Sequence, residues 1–142
     1  MLKGIRIVEI EGLGPTPFAG MMFADLGAEV TVIHRKDKSI FSNPKNILDR
    51  GKRSIELDLK DPKDLEIAKK IIFRSDALIE GFRPGVMENF GLGPDDLNEN
   101  PLLVYGRMTG WGQKGPKSKQ SGHDLNYIGL SGALWYASHP DT

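Results

Sequence analysis

Alternating strand-like and helix-like segments are the feature that most limits how this chain can fold. Segments rich in β-branched and aliphatic residues predict five strands, at residues 4–10, 29–35, 54–59, 77–82 and 102–108. Helix-like stretches follow the first, third and fourth of these, at residues 17–28, 61–76, 84–91 and 94–101. The alternation predicts an α/β fold, a Rossmann-like parallel sheet with helices on both faces. In such sheets, ligands bind beyond the carboxyl ends of the strands.

Length and composition fit one globular domain over residues 1–142 that binds no nucleic acid. The 19 Lys and Arg residues equal the 19 Asp and Glu residues in number, so no polyanion-binding surface is indicated. No stretch has the roughly 20 apolar residues of a membrane span, and no secretory signal is evident, so we expect a cytoplasmic protein without a membrane partner. Cysteine is absent and no histidine and carboxylate show metal-ligand spacing, so no metal site is expected.

The turn after the first strand does not have the dinucleotide-binding fingerprint. After Gly12 and Gly14, the third glycine of G-x-G-x-x-G would fall at position 17, which is Pro17. The following helix can still present N–H groups to a phosphate or thioester oxygen. A tight turn that needs only small residues is the simpler interpretation of this stretch alone.

The end of the second strand carries bases where folds that bind NAD carry an acid. His34, Arg35 and Lys36 occupy this place, and a base there suits a phosphorylated ribose, as in NADP or the 3′-phospho-ADP part of coenzyme A. Arg35 can make bidentate hydrogen bonds to such a phosphate. The segments 50–54 and 57–60 supply further cations near the next strand. A solvated basic rim remains an equal alternative at this point.

His123 precedes an apolar run that predicts a helix beginning near Ser121. Ser121 and Asp124 have the spacing of a capping box, and we assign Asp124 to that capping. An imidazole at the start of a helix can accept a proton in catalysis. A lone histidine there is more often structural, and the residues alone leave both interpretations open.

Five stretches in order carry a family resemblance that covers nearly the whole chain: residues 4–30, 50–60, 75–94, 100–116 and 122–134. Together they resemble the alpha-methylacyl-CoA racemase branch of the class III CoA-transferase family. The sequence GHDLNY at residues 122–127 is the element that separates the racemases from the transferases, which use an Asp nucleophile further along.

The resemblance implies roles for particular residues. His123 matches the catalytic histidine, and Arg35 matches the arginine that holds the coenzyme A nucleotide. The turn 81–85 is expected near the adenine. The resemblance also implies two binding segments. The segment that lines the nucleotide consists of Leu57, Asp58, Leu59 and Lys60. The segment that combines thioester binding with catalysis consists of Gly122, His123, Asp124, Leu125, Asn126 and Tyr127.

The resemblance also implies substrate and assembly. It implies no prosthetic group, coenzyme A as part of an acyl-CoA substrate, and a homodimer that is interlocked in full-length members. Members are more than twice as long as this chain, and their second catalytic acid lies beyond residue 142. Asp141 is not expected to replace this acid, because it lies outside a matching motif. We therefore expect the N-terminal part of a large CoA-binding domain, which alone is inactive.

The residues and the family resemblance leave three functions open. The first is an acyl-CoA racemase that epimerises 2-methyl-branched thioesters through an enolate. The second is an acyl-CoA:carboxylate CoA-transferase, and the third is a non-catalytic CoA-binding fragment. An NADP oxidoreductase is a distant fourth.

Overall fold

The computed structural model describes residues 1–36 and 46–137, and the chain divides into two compact units, Met1–Met108 and Thr109–Thr142. Residues 37–45, between the second and third predicted strands, and Asp141 lie outside the described residues. None of the described helices has the length and hydropathy that crossing a membrane requires.

The first unit contains a parallel sheet whose strands match all five predicted strand segments. They are β1 (Arg6–Ile10), β2 (Glu29–His34), β3 (Arg53–Glu56), β4 (Ala77–Glu80) and β5 (Val104–Arg107). The order in the sheet is β3-β2-β1-β4-β5, and every pairing is parallel. The order reverses between β1 and β4, and in doubly wound sheets the binding crevice opens at such a reversal.

In the described part of this unit, three helices and one short 3₁₀-helix connect the strands: α1 (Pro15–Asp25), the 3₁₀-helix (Ile47–Asp49), α2 (Pro62–Phe73) and α3 (Val86–Asn89). The start of α2 is as predicted, because Asp61 caps it by accepting the N–H groups of Lys63 and Asp64, and Pro62 is its first residue.

The predicted helix at residues 94–101 is wrong, because the structure has turns there. Asp96 Oδ2 accepts the Gly93 N–H at 2.9 Å, and Asn100 Oδ1 accepts the Leu102 N–H at 3.3 Å. Short polar side chains that bond to nearby backbone favour turns over helix.

Helices cover both faces of the sheet, which confirms the predicted α/β architecture. On one face, Ala68 and Ile72 of α2 share a buried cluster with Val8 and Leu78. On the opposite face, α1 packs Phe23 and Ala24 against a smaller cluster that includes Ile7, Val30 and Ile79. Successive residues of β1 therefore point to opposite helical layers, as the pleat of a strand requires.

A buried ion pair lies between α1 and the sheet. Lys52 Nζ is 2.7 Å from Glu9 Oε2 and donates to the Pro17 carbonyl at 2.9 Å, and both side chains are about 2% exposed. Burial raises the pKa of the Glu9 carboxyl, and the hydrogen bond from Lys52 opposes that rise. A Cβ at Gly20 of α1 would overlap the Glu9 carboxylate. Glycine at this position thus lets the helix lie directly over the pair.

The second unit, described as far as residue 137, has two short helices there, α4 (Asp124–Ser131) and α5 (Ala133–Tyr136). Gly132, with φ of 81°, ends the first and caps the second. A left-handed backbone of this kind favours glycine.

Candidate functional site

A cavity of about 420 Å³ opens at the carboxyl ends of β1 to β4. The topology therefore places it where α/β sheets bind ligands. Its wall combines apolar residues, one histidine, four cations and two carboxylates. The apolar residues are Ile10, Ile33, Leu57, Leu59, Phe82, Val86 and Phe90, and the others are His34, then Arg35, Lys36, Lys60 and Arg83, and finally Glu11 and Asp58.

Glu11 fixes the end of β2 on which Arg35 stands. Its Oε2 accepts the Arg35 backbone N–H at 3.0 Å, and its Oε1 lies 3.2 Å from His34 Nδ1. The Arg35 guanidinium takes part in none of the salt bridges formed between described residues. The backbone of Arg35 is held in place while its side chain stands at the cavity wall.

Asp64 at the start of α2 connects two other parts of the wall. Its Oδ2 lies 2.6 Å from Lys36 Nζ and accepts the Asp58 backbone N–H at 2.8 Å. The hydrogen bonds from Lys36 and Asp58 hold the pKa of the Asp64 carboxyl below its usual value. Lys36 is therefore already neutralised by the protein, whereas no such partner is found for Arg35 in the described residues.

The apolar wall follows β4 and continues into α3. Glu80 is buried and accepts the Phe82 backbone N–H at 2.6 Å, just after the strand. Burial raises the pKa of this carboxyl. Arg107 of β5 donates to Glu88 of α3 at 2.5 Å, so an ion pair connects the end of the sheet to the helix that begins with Val86 and is capped by Phe90.

The start of α1 is a poor phosphate site. Pro15 and Pro17 both lie in its first turn, and neither has a backbone N–H. The cations predicted in segment 50–54 are likewise engaged, since Arg50 pairs with Asp25, Lys52 with Glu9 and Arg53 with Glu29. Both observations favour the cavity wall near Arg35 as the place for an anionic group.

His123 is the N-cap of α4, which begins two to three residues later than predicted. The predicted capping box of Ser121 and Asp124 is wrong, because Asp124 is already the first helical residue. Asn126 Oδ1 accepts the His123 N–H at 2.9 Å and supplies the cap instead. Asn is among the side chains that bond backbone N–H groups at helix starts, but its place three residues after His123 did not stand out in the sequence.

The structure brings together one of the two predicted groups of binding residues. Arg35, Leu57, Asp58, Leu59 and Lys60 all line the cavity, and so do Phe82 and Arg83 of the predicted turn 81–85. The other group, Gly122–Tyr127, belongs to the second unit.

Sequence reasoning missed several wall residues. Glu11, Val86 and Phe90 carry no motif of their own, and only the strand order could have placed them at the cavity. Within residues 1–36 and 46–137, no group of three or more potential metal ligands occurs.

A parallel sheet covered by helices on both faces, with a cavity at its carboxyl edge, defines the class of Rossmann-like α/β proteins. Within that class, the chain belongs to CoA-transferase family III, whose model matches residues 2–142. It is 48% identical over 135 residues to the alpha-methylacyl-CoA racemase of Mus musculus, with 94% of this chain and 34% of that protein covered.

Two other proteins place the chain within the family. Human succinyl-CoA:glutarate CoA-transferase is 33% identical over 146 residues, covering 94% of this chain and 33% of that protein. The crystal structure of a CAIB/BAIF family protein from Brucella suis matches with a TM-score of 0.87 and 28% identity, covering 99% of this chain and 41% of that one. The chain thus spans about a third of the length of the curated relatives it matches.

Proposed function

We propose that this chain forms the coenzyme A-binding part of a racemase that acts on 2-methyl-branched acyl-CoA thioesters. The observation that carries the proposal is that Arg35 and Leu57–Lys60 all line one cavity. The chain is also more similar in sequence to the racemase than to the transferase. In this proposal, Arg35 binds the 3′-phosphate and the apolar wall receives the adenine.

His123 is the proposed base of the reaction. Thioester formation makes the α-hydrogen acidic, because the carbanion is delocalised onto the carbonyl oxygen as an enolate. His123 removes this proton from one face, and an acid outside residues 1–142 returns a proton to the opposite face. The product is the other enantiomer, with the thioester bond intact throughout.

The start of α4 supplies the donors proposed for the enolate oxygen. The His123 N–H is already bonded to Asn126, and the N–H groups of Asn126 and Tyr127 donate to the His123 carbonyl. Asp124 and Leu125 begin the helix, where N–H groups have no intrahelical acceptor. Donors of this kind stabilise the charge that develops on the oxygen.

Hydrogen exchange tests the role of His123. In the product of the full reading frame that contains this chain, His123→Ala should lower α-hydrogen exchange in deuterated water by about 10²–10⁴-fold, the usual loss for a general base. The dissociation constant of coenzyme A should stay within about twofold, since Arg35 and Leu57–Lys60 are unchanged. Exchange of both enantiomers at the unmutated rate would make His123 a structural cap only.

The alternative is CoA transfer to a carboxylate, which is favoured by the 33% identity to the succinyl-CoA:glutarate CoA-transferase. Transfer needs a carboxylate nucleophile and no histidine base. His123→Ala would then leave the transfer reaction largely intact, so the same variant separates the two functions.

A further inference from the structure

The backbone that leads into His123 is held by side chains on two sides. The Tyr127 hydroxyl donates to the Gly122 carbonyl at 2.8 Å, and Trp111 Nε1 donates to the Ser121 carbonyl at 3.5 Å. Asn126 accepts the N–H of His123 itself. We name Trp111, Asn126 and Tyr127 the backbone clasp.

The two aromatic members of the backbone clasp support each other. The rings of Trp111 and Tyr127 meet edge to face, with centroids 4.9 Å apart and planes at 61°. The Lys117 ammonium lies 5.0 Å from the centre of the Trp111 ring, within cation–π range. The Tyr127 hydroxyl and the Trp111 indole N–H are therefore carried by two rings that pack against each other.

Two glycines leave the space that the backbone clasp needs. A Cβ at Gly110 would overlap the Tyr127 hydroxyl, and a Cβ at Gly122 would lie 2.7 Å from the same oxygen and 2.9 Å from Trp111 Nε1. Neither glycine is required by a left-handed backbone, because neither has a positive φ. Their lack of a side chain instead allows close contact between the backbone and the two donors.

We propose that the backbone clasp positions the His123 imidazole for proton transfer, an inference that rests on the proposed function. The direction of the His123 side chain depends on the peptide before it and on the backbone of the residue itself, which is extended at φ −130° and ψ 176°. The clasp holds the carbonyls of the two preceding residues and the N–H of His123. Tyr127 and Asn126 thus act through His123 and need not touch the substrate, although the resemblance places them in the thioester-binding loop.

Tyr127→Phe is the sharpest test, because it removes the hydroxyl and keeps the ring. In the product of the full reading frame, we expect the kcat of α-hydrogen exchange to fall at least about fivefold, since a misplacement of about 1 Å can cost about a hundredfold. The KM for the acyl-CoA and the dissociation constant of coenzyme A should stay within about twofold. Tyr136→Phe is the matched control, because that side chain is 88% exposed in the same unit.

Asn126→Ala provides a second variant if Tyr127→Phe does not fold. Asn126 is exposed, so the loss of its side chain removes the acceptor for the His123 N–H with little effect on packing. It should also lower kcat without changing KM. Melting temperatures of all variants show whether kcat follows positioning or the folded fraction.

The outcomes separate this inference from the proposed function. Loss of kcat in both variants, with KM and the folded fraction unchanged, supports positioning. If His123→Ala abolishes exchange but both clasp variants keep full kcat, or lose it only in step with the folded fraction, the inference is overturned and the proposed function stands. If His123→Ala leaves exchange intact, the proposed function itself fails.

Discussion

Arg35 and Lys36 follow β2 directly, but the protein treats these two neighbouring cations differently. Lys36 is bound to Asp64 at 2.6 Å, whereas the contact of Arg35 seen among the described residues is made by its backbone N–H, which donates to Glu11. A guanidinium suits a phosphate because its fork can make two parallel hydrogen bonds. At the scale of single residues, Arg35 is therefore the side chain on which recognition of the 3′-phosphate should depend most.

Comparison of coenzyme A with dephospho-coenzyme A tests this role. The unmutated chain should bind dephospho-coenzyme A about 10- to 100-fold more weakly, because a hydrogen bond to a charged group contributes about 1.5–3 kcal/mol. Arg35→Ala should remove the difference, measured by isothermal titration calorimetry. Arg53→Ala is the control, since Arg53 pairs with Glu29 on the sheet and does not line the cavity. Equal affinities of the unmutated chain for both ligands would contradict the role.

Asp64 gives the residue-scale prediction for pH. Its pKa is lower in the folded chain than the usual value of about 3.9, so its ionised form stabilises the fold above that value. This contribution is lost as the pH falls from about 4 through the lowered pKa. Asp64→Asn should therefore lower the free energy of unfolding at pH 7 and flatten its decline below pH 4.

Urea unfolding at several pH values measures the effect of Asp64→Asn. The exposed Asp95 provides the matched control, and Asp95→Asn should keep the pH dependence of the unmutated chain. If the free energy of unfolding of Asp64→Asn ran parallel to that of the unmutated chain over the whole pH range, the ion pair with Lys36 would contribute nothing to the pH dependence of stability.

At the scale of elements, the strands and α2 could be predicted because each carries its own local signal. Strand segments are short apolar runs, and α2 begins with Asp61 and Pro62, whose capping roles depend only on neighbours in sequence. The start of α4 and the turns at residues 94–101 were predicted wrongly because several polar residues there compete for the same backbone groups.

The site was less predictable than the fold. Arg35 and Leu57–Lys60 stand directly at or just after strand ends, so the strand rule and the family resemblance found them. The interactions that hold the site join distant residues, such as Lys52 with Glu9 and Arg107 with Glu88. Their pairing is determined by strand order and helix packing, which no local pattern encodes.

The contact of α1 with β1 gives the prediction at this scale. Gly20→Ala places a methyl group against the buried Glu9 carboxylate, and overpacking of this kind costs about 1–3 kcal/mol, despite the better helix propensity of alanine. Thermal and urea unfolding should show the loss.

A matched variant separates packing from helix propensity. At Gly129 of α4 a new Cβ would meet only Leu134 Cδ2 at 4.0 Å, so Gly129→Ala should be neutral or stabilising by up to about 1 kcal/mol. If Gly20→Ala and Gly129→Ala changed stability alike, the close packing over Glu9 would have no energetic consequence.

At the scale of the whole molecule, the chain spans about a third of the length of the curated relatives it matches, and in the proposed function it contributes one of the two groups that racemisation needs. We expect residues 1–142 alone to bind coenzyme A weakly and not to interconvert (2R)- and (2S)-2-methylacyl-CoA. Exposed apolar side chains, among them Leu125, Leu130 and Trp135, also favour self-association of the isolated chain. Chiral chromatography on the purified chain, with mass spectrometry to exclude longer contaminants, measures this. Clear turnover would mean that a residue within this chain, or a second copy, supplies the other acid.

The most direct test of the proposed racemase function uses the product of the full reading frame and a single enantiomer of the substrate. Enantiopure (2R)-2-methylacyl-CoA is incubated in deuterated water, with and without a free dicarboxylate as CoA acceptor, and products are resolved by chiral chromatography and mass spectrometry. A racemase gives both enantiomers with one deuterium at the α-carbon, whether or not the acceptor is present, because the thioester bond is never broken. Formation of the acceptor's CoA thioester, with the remaining substrate still (2R) and free of deuterium, would contradict the proposal and assign CoA transfer instead.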